Sequence, residues 1–177
     1  MQKSPVSVIF MMVLFLGLTV HAASIDNIEV INVEPFGYCC IHKQGPFTEI
    51  VSAINELWQQ MQQQQIMPTG TMLGIFYNAP ADVKPEELDW EIGFPVTNVN
   101  PQPPLLSKIW DFSTVAKTVH TGPFENTGET FEKVFQWMEA NGYEQDGPVL
   151  ERYLTMPGPD IDPSSMKAEI WVPVKKK

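Results

Sequence analysis

The sequence predicts an α+β fold made by tandem duplication of one strand-helix-strand-strand unit, and three observations carry that prediction. The first is a fixed offset. Gly122-Pro123-Phe124 repeats Gly45-Pro46-Phe47 77 residues later, and the same offset sets Gly147 over Gly70 and Leu150 over Leu73. One extra residue of offset sets Glu169-Ile170 over Glu91-Ile92 and Pro173-Val174 over Pro95-Val96. Recurrence at constant spacing marks a repeated structural unit. The second is a helical apolar face in each copy, and the third is length: 155 residues from Ala23 to Lys177 suit one compact domain with one core.

Residues 1–22 read as a signal peptide. Lys3 gives a positive start, Val6 to Val20 is mostly apolar, and Val20-His21-Ala22 has the spacing of a cleavage site. About 15 apolar residues fall short of the roughly 20 that span a bilayer. The expected mature chain, 23–177, is secreted or periplasmic, with no stable membrane insertion after cleavage. It loses one Lys and no acid, which leaves 10 basic residues against 21 acidic ones and a net charge of −11. So acidic a chain suits cationic partners and not nucleic acid, whose affinity rests on phosphate neutralisation.

Repeat one, 25–96, opens with strands over Ile28 to Val33 and Phe36 to Ile41. After the Gly-Pro-Phe turn, Phe47, Ile50, Val51, Ile54, Leu57, Trp58 and Met61 line one helical face. Repeat two, 105–174, rebuilds that face with Phe124, Thr127, Gly128, Phe131, Val134, Phe135 and Met138, and Asn141-Gly142 ends the helix. Each helix leads to a hairpin: Met72 to Tyr77 with Trp90 to Val96, and Val149 to Met156 with Ala168 to Val174. The loops Asn78 to Leu88 and Pro157 to Met166 are long for hairpins and are candidate rims for a site. Thr97 to Pro104, with three prolines, is the linker.

Adjacent strand residues point to opposite faces, so Cys39 and Cys40 do not suit a mutual disulfide and read as one buried and one exposed or edge thiol. His42 and His120 do not align and read as strand-end or turn residues. No thioredoxin, zinc, Ser-His-Asp, Cys-His or P-loop spacing occurs, so no metal and no cofactor are expected. On the closing strand, period-two alternation sends Ala168, Ile170 and Val172 toward the helices and Glu169 with Trp171 to the other face. Glu91 recurs at the equivalent place beside Gly93, a residue that leaves space, and Tyr153 shares a face of the neighbouring strand with Glu151. A sheet curling away from its helices would gather aromatics and one or two acids in a concavity suited to cationic or aromatic ligands. The alternative is that both glutamates are solvated strand residues.

His120-Thr121-Gly122-Pro123-Phe124, the helix bearing Trp137, Gly147-Pro148 before the strand with Tyr153, and Ala168-Glu169-Ile170-Trp171-Val172-Pro173-Val174 together resemble the GyrI-like domain, the effector-binding domain of AraC- and MerR-type regulators. The resemblance implies a curved antiparallel sheet with two helices on one face and a small-molecule pocket on the other. It places the pocket's acid at Glu169, with Trp171, Tyr153, Trp110, Tyr38 and Glu91 completing the ligand-binding set. The chain departs from the regulators in showing no helix-turn-helix segment and in its export signal, so the expected role is an exported small-molecule-binding protein, a monomer or weak dimer. A hydrolase of strained cyclic natural products, using Glu169 with Tyr153, is the alternative. A haem carrier of the SOUL type, which has a similar duplicated fold, is the third, and a purely structural or protein-binding role is left open.

Overall fold

The computed structural model describes residues 24–25, 27–156 and 160–177; the expected signal peptide lies outside the described residues. In chain order the elements are β1 (Ser24–Ile25), β2 (Glu29–Asn32), β3 (Phe36–Gln44), α1 (Ile50–Gln63), β4 (Leu73–Phe76), β5 (Asp89–Pro95) and β6 (Leu106–Trp110). There follow β7 (Thr114–Thr121), α2 (Thr127–Ala140), β8 (Tyr143–Gln145), β9 (Val149–Tyr153) and β10 (Lys167–Lys176). All the strand pairs are antiparallel and form one sheet in the order β1-β7-β10-β9-β4-β5-β3-β6, with β2 also on β7 and β8 also on β10. Among the described residues no helix is long and apolar enough to cross a membrane.

The two halves pair in the same register at the sequence offset. Tyr38 faces Pro95 and His42 faces Glu91 across β3 and β5, while Val115 faces Pro173 and Val119 faces Glu169 across β7 and β10. At the centre β4 lies on β9, with Gly74 opposite Glu151. The first strand of each half crosses over: β2 pairs with β7, and β6 pairs with β3. Tyr38 opposite Lys108 and Val115 opposite Ile31 are again equivalent registers.

This exchange forces the sheet to curl. In a flat sheet β2 and β3 would lie six strand spacings apart, about 29 Å. They are joined by residues 33–35 alone, a connection that reaches about 14 Å at most. The connection 111–113 between β6 and β7 imposes the same limit, and the Val33 N–H donates to the Ser113 carbonyl at 2.9 Å, tying the two connectors together. The result is an open barrel whose two ends adjoin. Phe36 on β3 and Trp171 on β10, about 19 Å apart across a flat sheet, have ring centroids 6.5 Å apart.

Both helices pack on the convex face. Ala53, Leu57 and Met61 of α1 meet Cys39, Ile41, Trp90, Ile92 and Phe94. Val134 and Met138 of α2 meet Ala116, Ile170 and Val172. Each helix begins after a glycine with positive φ, 144° at Gly45 and 135° at Gly122, a conformation that a side chain would strain. Gly142 at φ 73° ends α2 in the left-handed region, as its sequence predicts. The predicted face of α1 is partly wrong: Val51 is exposed, because the helix turns Ala53 to the sheet instead.

Candidate functional site

The concave face is built from alternate residues of eight strands. Nearest the crossing connectors, Tyr38, Cys40, Leu73, Ile75, Trp110, Val115, Leu150 and Trp171 form a buried cluster, with Ile31, Val33, Phe36 and Phe112 against it. Trp110 stacks near Phe36 at 6.5 Å and meets Phe112 at 4.9 Å. β4 and β9 run antiparallel with Phe76 beside Val149 and Leu73 beside Arg152, so the chain leaves these two strands at opposite ends of the sheet and the two hairpin loops do not form the one rim expected of them. The face turns polar toward each end, at Glu91 and at Glu169, with the aromatic cluster as a floor between them.

Glu91 is the centre of the polar part. Its side chain is 0% exposed, and its two oxygens are fully engaged. Oε2 accepts from the Tyr38 hydroxyl at 2.9 Å and from Cys40 Sγ at 3.6 Å. Oε1 accepts from the Tyr77 hydroxyl at 3.0 Å and from Lys108 Nζ. An ionised carboxylate offers about four acceptor sites, so this set saturates it. Burial, then the Glu91 charge, pushes the Tyr38 hydroxyl far above the usual phenol range. The same two causes raise Tyr77 and the Cys40 thiol, so both are protonated donors. Burial works against the charge on Lys108, but the hydrogen bond and charge of Glu91 outweigh it and hold the ammonium above its ordinary pKa. At the rim, His42 and Asp89 pair at 2.5 Å beside Tyr77.

Glu169 lies on the same face but in a different electrostatic setting. Arg152 Nη1 donates to it at 2.7 Å and Lys117 Nζ stands 3.1 Å away. The Arg152 guanidinium lies over the Trp171 ring at 5.0 Å from its centroid. Two cations therefore already answer this one carboxylate.

Of the six expected site residues, the structure brings together Tyr38, Trp110, Trp171, Glu91 and Glu169 on the concave face. Tyr153 is not among them. It pairs opposite Ala168, on the helix side of the sheet, and packs on Phe124 at 5.0 Å. The sheet separates it from Glu169, so those two cannot act together on one substrate. The expected open cavity is also corrected: curling packs Tyr38, Trp110 and Trp171 around Phe36, at 3%, 2% and 7% exposure. A shallow groove of about 240 Å³ sits at one edge, beside Asn27, Glu29 and Lys117. The space expected beside Gly93 is taken by Cys39 and Cys40 of β3, whose atoms a Cβ would approach to 2.6 and 2.9 Å. Cys40 is buried, not exposed, for the same reason, and Cys39 is buried on the helix side; both are free thiols.

Lys108 and Tyr77 were not anticipated. The signal for Lys108 was present, since alternation puts it on the face of Trp110 two residues on. Neither His42 nor His120 reaches the aromatic floor: His42 pairs with Asp89, and His120 is buried under α2, bonded to Thr130 Oγ1 at 2.8 Å and the Pro123 carbonyl at 3.1 Å. Among the described residues no group of three or more His, Cys, Asp or Glu is placed to hold a metal. The indole N–H groups of Trp110 and Trp171 find no acceptor among the described residues.

The chain belongs to the GyrI-like family: the model of the GyrI-like small molecule binding domain matches residues 26–175. No curated protein matches it. Among solved structures it is similar to the C-terminal domain of EcmrR, with 17% identity, a TM-score of 0.76, and coverage of 85% of this chain and 98% of that one. In the EcmrR–DNA complex the match spans 58% of the EcmrR chain at 16% identity, a TM-score of 0.76 and 85% of this chain. A hydrolase from Listeria innocua matches at 15% identity and a TM-score of 0.64, over 84% of this chain and 91% of that one. SAV2435, solved with tetraphenylphosphonium bound, matches at 15% identity and 0.56, over 85% and 94%. At these identities the likeness is one of fold.

Proposed function

We propose that this protein is an exported binding module that takes a lipophilic, cationic or aromatic small molecule into the concave face, with Glu91 as its anchoring acid. The observation that carries the reading is the fully buried Glu91 carboxylate, ringed by the Tyr38 and Tyr77 phenols at the edge of an aromatic floor. A buried acid with aromatic walls is the chemistry that holds a desolvated cation. The two unpaired indole donors, each costing roughly 1–3 kcal/mol when buried, give a ligand with an acceptor atom a further reason to enter. Glu169 is the weaker anchor, because Arg152 and Lys117 already neutralise it. Small-molecule binding by the family and the tetraphenylphosphonium held by SAV2435 support the same class of ligand.

Titration calorimetry with tetraphenylphosphonium tests it. The protein should bind, Glu91→Gln should cost about 2–5 kcal/mol, the scale for breaking a buried charge pair, and Glu169→Gln should change affinity less than threefold. Equal binding by wild type and Glu91→Gln would remove Glu91 from the site.

A second reading, hydrolysis, is favoured by the buried Glu91 carboxylate, which its two phenol donors hold in place as a general base; the Listeria innocua neighbour is itself a hydrolase. Turnover of a bound ligand by wild type and none by Glu91→Gln would select it.

Export, action as a monomer or weak dimer, and indifference to nucleic acid complete the reading. Export rests on the residue 1–22 pattern and indifference to nucleic acid on the acidic balance of the chain. Descent of the two halves from one duplicated unit is supported by their shared registers. N-terminal sequencing of protein from the expressing cell should start at Ala23 or close to it. A start at Met1 in a membrane fraction would contradict export.

A further inference from the structure

We infer that Lys108 is a built-in cation that occupies the Glu91 site, and that a cationic ligand binds by displacing it. The inference rests on the cation-binding reading above and adds the residue that sets the site's threshold.

The four donors on Glu91 divide in two. Tyr38 and Cys40, on Oε2, are buried and locked in the aromatic cluster. Tyr77 and Lys108, on Oε1, are 43% exposed as a residue and 34% as a side chain respectively. Oε1 is therefore the oxygen that an incoming group can reach. Lys108 Nζ also lies over the Tyr77 ring, 5.7 Å from its centroid. An ammonium held by a carboxylate and an aromatic face is the interaction a lipophilic cation would make. Lys108 makes it from β6, the edge strand, on a flexible four-carbon stem that can swing out to water.

The second half contains the same arrangement, reached by another route. Glu169 accepts from Arg152, which covers the Trp171 ring. The two glutamates are equivalent under the repeat, but the cations are not: Lys108 falls over Ile31 and Arg152 over Ile75. Carboxylate, ring and internal cation have thus been assembled twice from non-equivalent positions. Glu169 carries a second cation, Lys117, whereas Glu91 depends on Lys108. Glu91 is the exchangeable site.

Exchange of one cation for another conserves the charge on the buried carboxylate, so neither state leaves it bare. The released ammonium regains its hydration. The incoming ion must give up its own, which favours large, weakly hydrated cations with aromatic surface over small ones. Lys108 then acts as a specificity filter. If it is merely a staple for the edge strand, removing it weakens the fold and does nothing for affinity.

Two measurements separate these roles. By calorimetry with tetraphenylphosphonium, Lys108→Met should bind at least about tenfold tighter than wild type, a difference of about 1.4 kcal/mol. Lys108→Arg, which restores a cation, should return to within about threefold of wild type on the same scale. In the wild-type protein, acetylation mapped by mass spectrometry should show Lys108 becoming more reactive as tetraphenylphosphonium is added, with Lys175, half exposed at 54%, as the unchanged reference. The acetylation arm holds even where Lys108→Met fails to fold. Wild type that binds through Glu91 while Lys108 stays equally or better protected overturns the inference and leaves the binding reading intact. Wild type and Lys108→Met both failing to bind tetraphenylphosphonium overturns both.

Discussion

Glu151 shows how one residue's environment becomes a property of the whole protein. Its side chain is buried on the helix side, and burial raises its pKa above the ordinary 4.5, with hydrogen bonds to Tyr153 and Thr127 opposing part of the shift. Tyr153, its titratable neighbour, is raised by burial and then by Glu151. An acid whose pKa is raised in the folded state binds its proton more tightly there than in the unfolded chain. Its stabilising contribution is complete below 4.5 and is lost as pH climbs through the raised value, by up to about 1.4 kcal/mol per pH unit. Glu151→Gln keeps the neutral hydrogen-bonding shape and cannot ionise. Urea unfolding from pH 4 to 8 should therefore show the variant gaining on wild type as pH rises; parallel curves would mean that Glu151 does not titrate in that range. Period-two alternation placed Glu151 and Tyr153 on one face from sequence, but not on which face. That choice depends on the pairing of Tyr153 with Ala168, a long-range contact no local pattern records.

At the scale of elements, what could be read was what depends on short-range chemistry. The Gly-Pro-Phe turns, both helices and the closing strands follow from positive-φ glycines and periodicity, and all lie close to where they were expected. β8 was not anticipated, because its counterpart in the first half is not a strand: Gln145 pairs with Val174, whereas the equivalent position is Pro68, which has no N–H to give a ladder. The site was legible to the same degree. Equivalent acids on equivalent strands announced Glu91 and Glu169, and the sequence motif favoured Glu169. What separates them is the company kept by each, Tyr38 and Tyr77 for one and Arg152 and Lys117 for the other. Those partners lie 14 to 53 residues away along the chain. Only the strand order brings them together.

The exchange of β2 and β6 decides how the molecule as a whole must fold. Each half supplies the edge strand of the other, so neither half contains its own complete sheet. A fragment ending at residue 104 would lack β6, and with it Lys108 and Trp110; β2 would have no β7 to pair with. A fragment starting at 105 would have β6 without β3. The central β4–β9 pair would also be missing from both, leaving the apolar faces of Leu73, Ile75 and Leu150 bare. Chains of about 75 residues are marginal even when their cores are complete. Fragments 23–104 and 105–177 should therefore show no cooperative melting and little near-ultraviolet circular dichroism alone. Mixed at equal concentration, they should recover the aromatic signal, because the pairing surfaces are long, apolar and specified in register. Cooperative unfolding by either fragment alone would mean that its β2 or β6 returns to its own half. In that case the short connectors at 33–35 and 111–113, rather than the strands, dictate the exchange, and with it the curl that closes the aromatic floor.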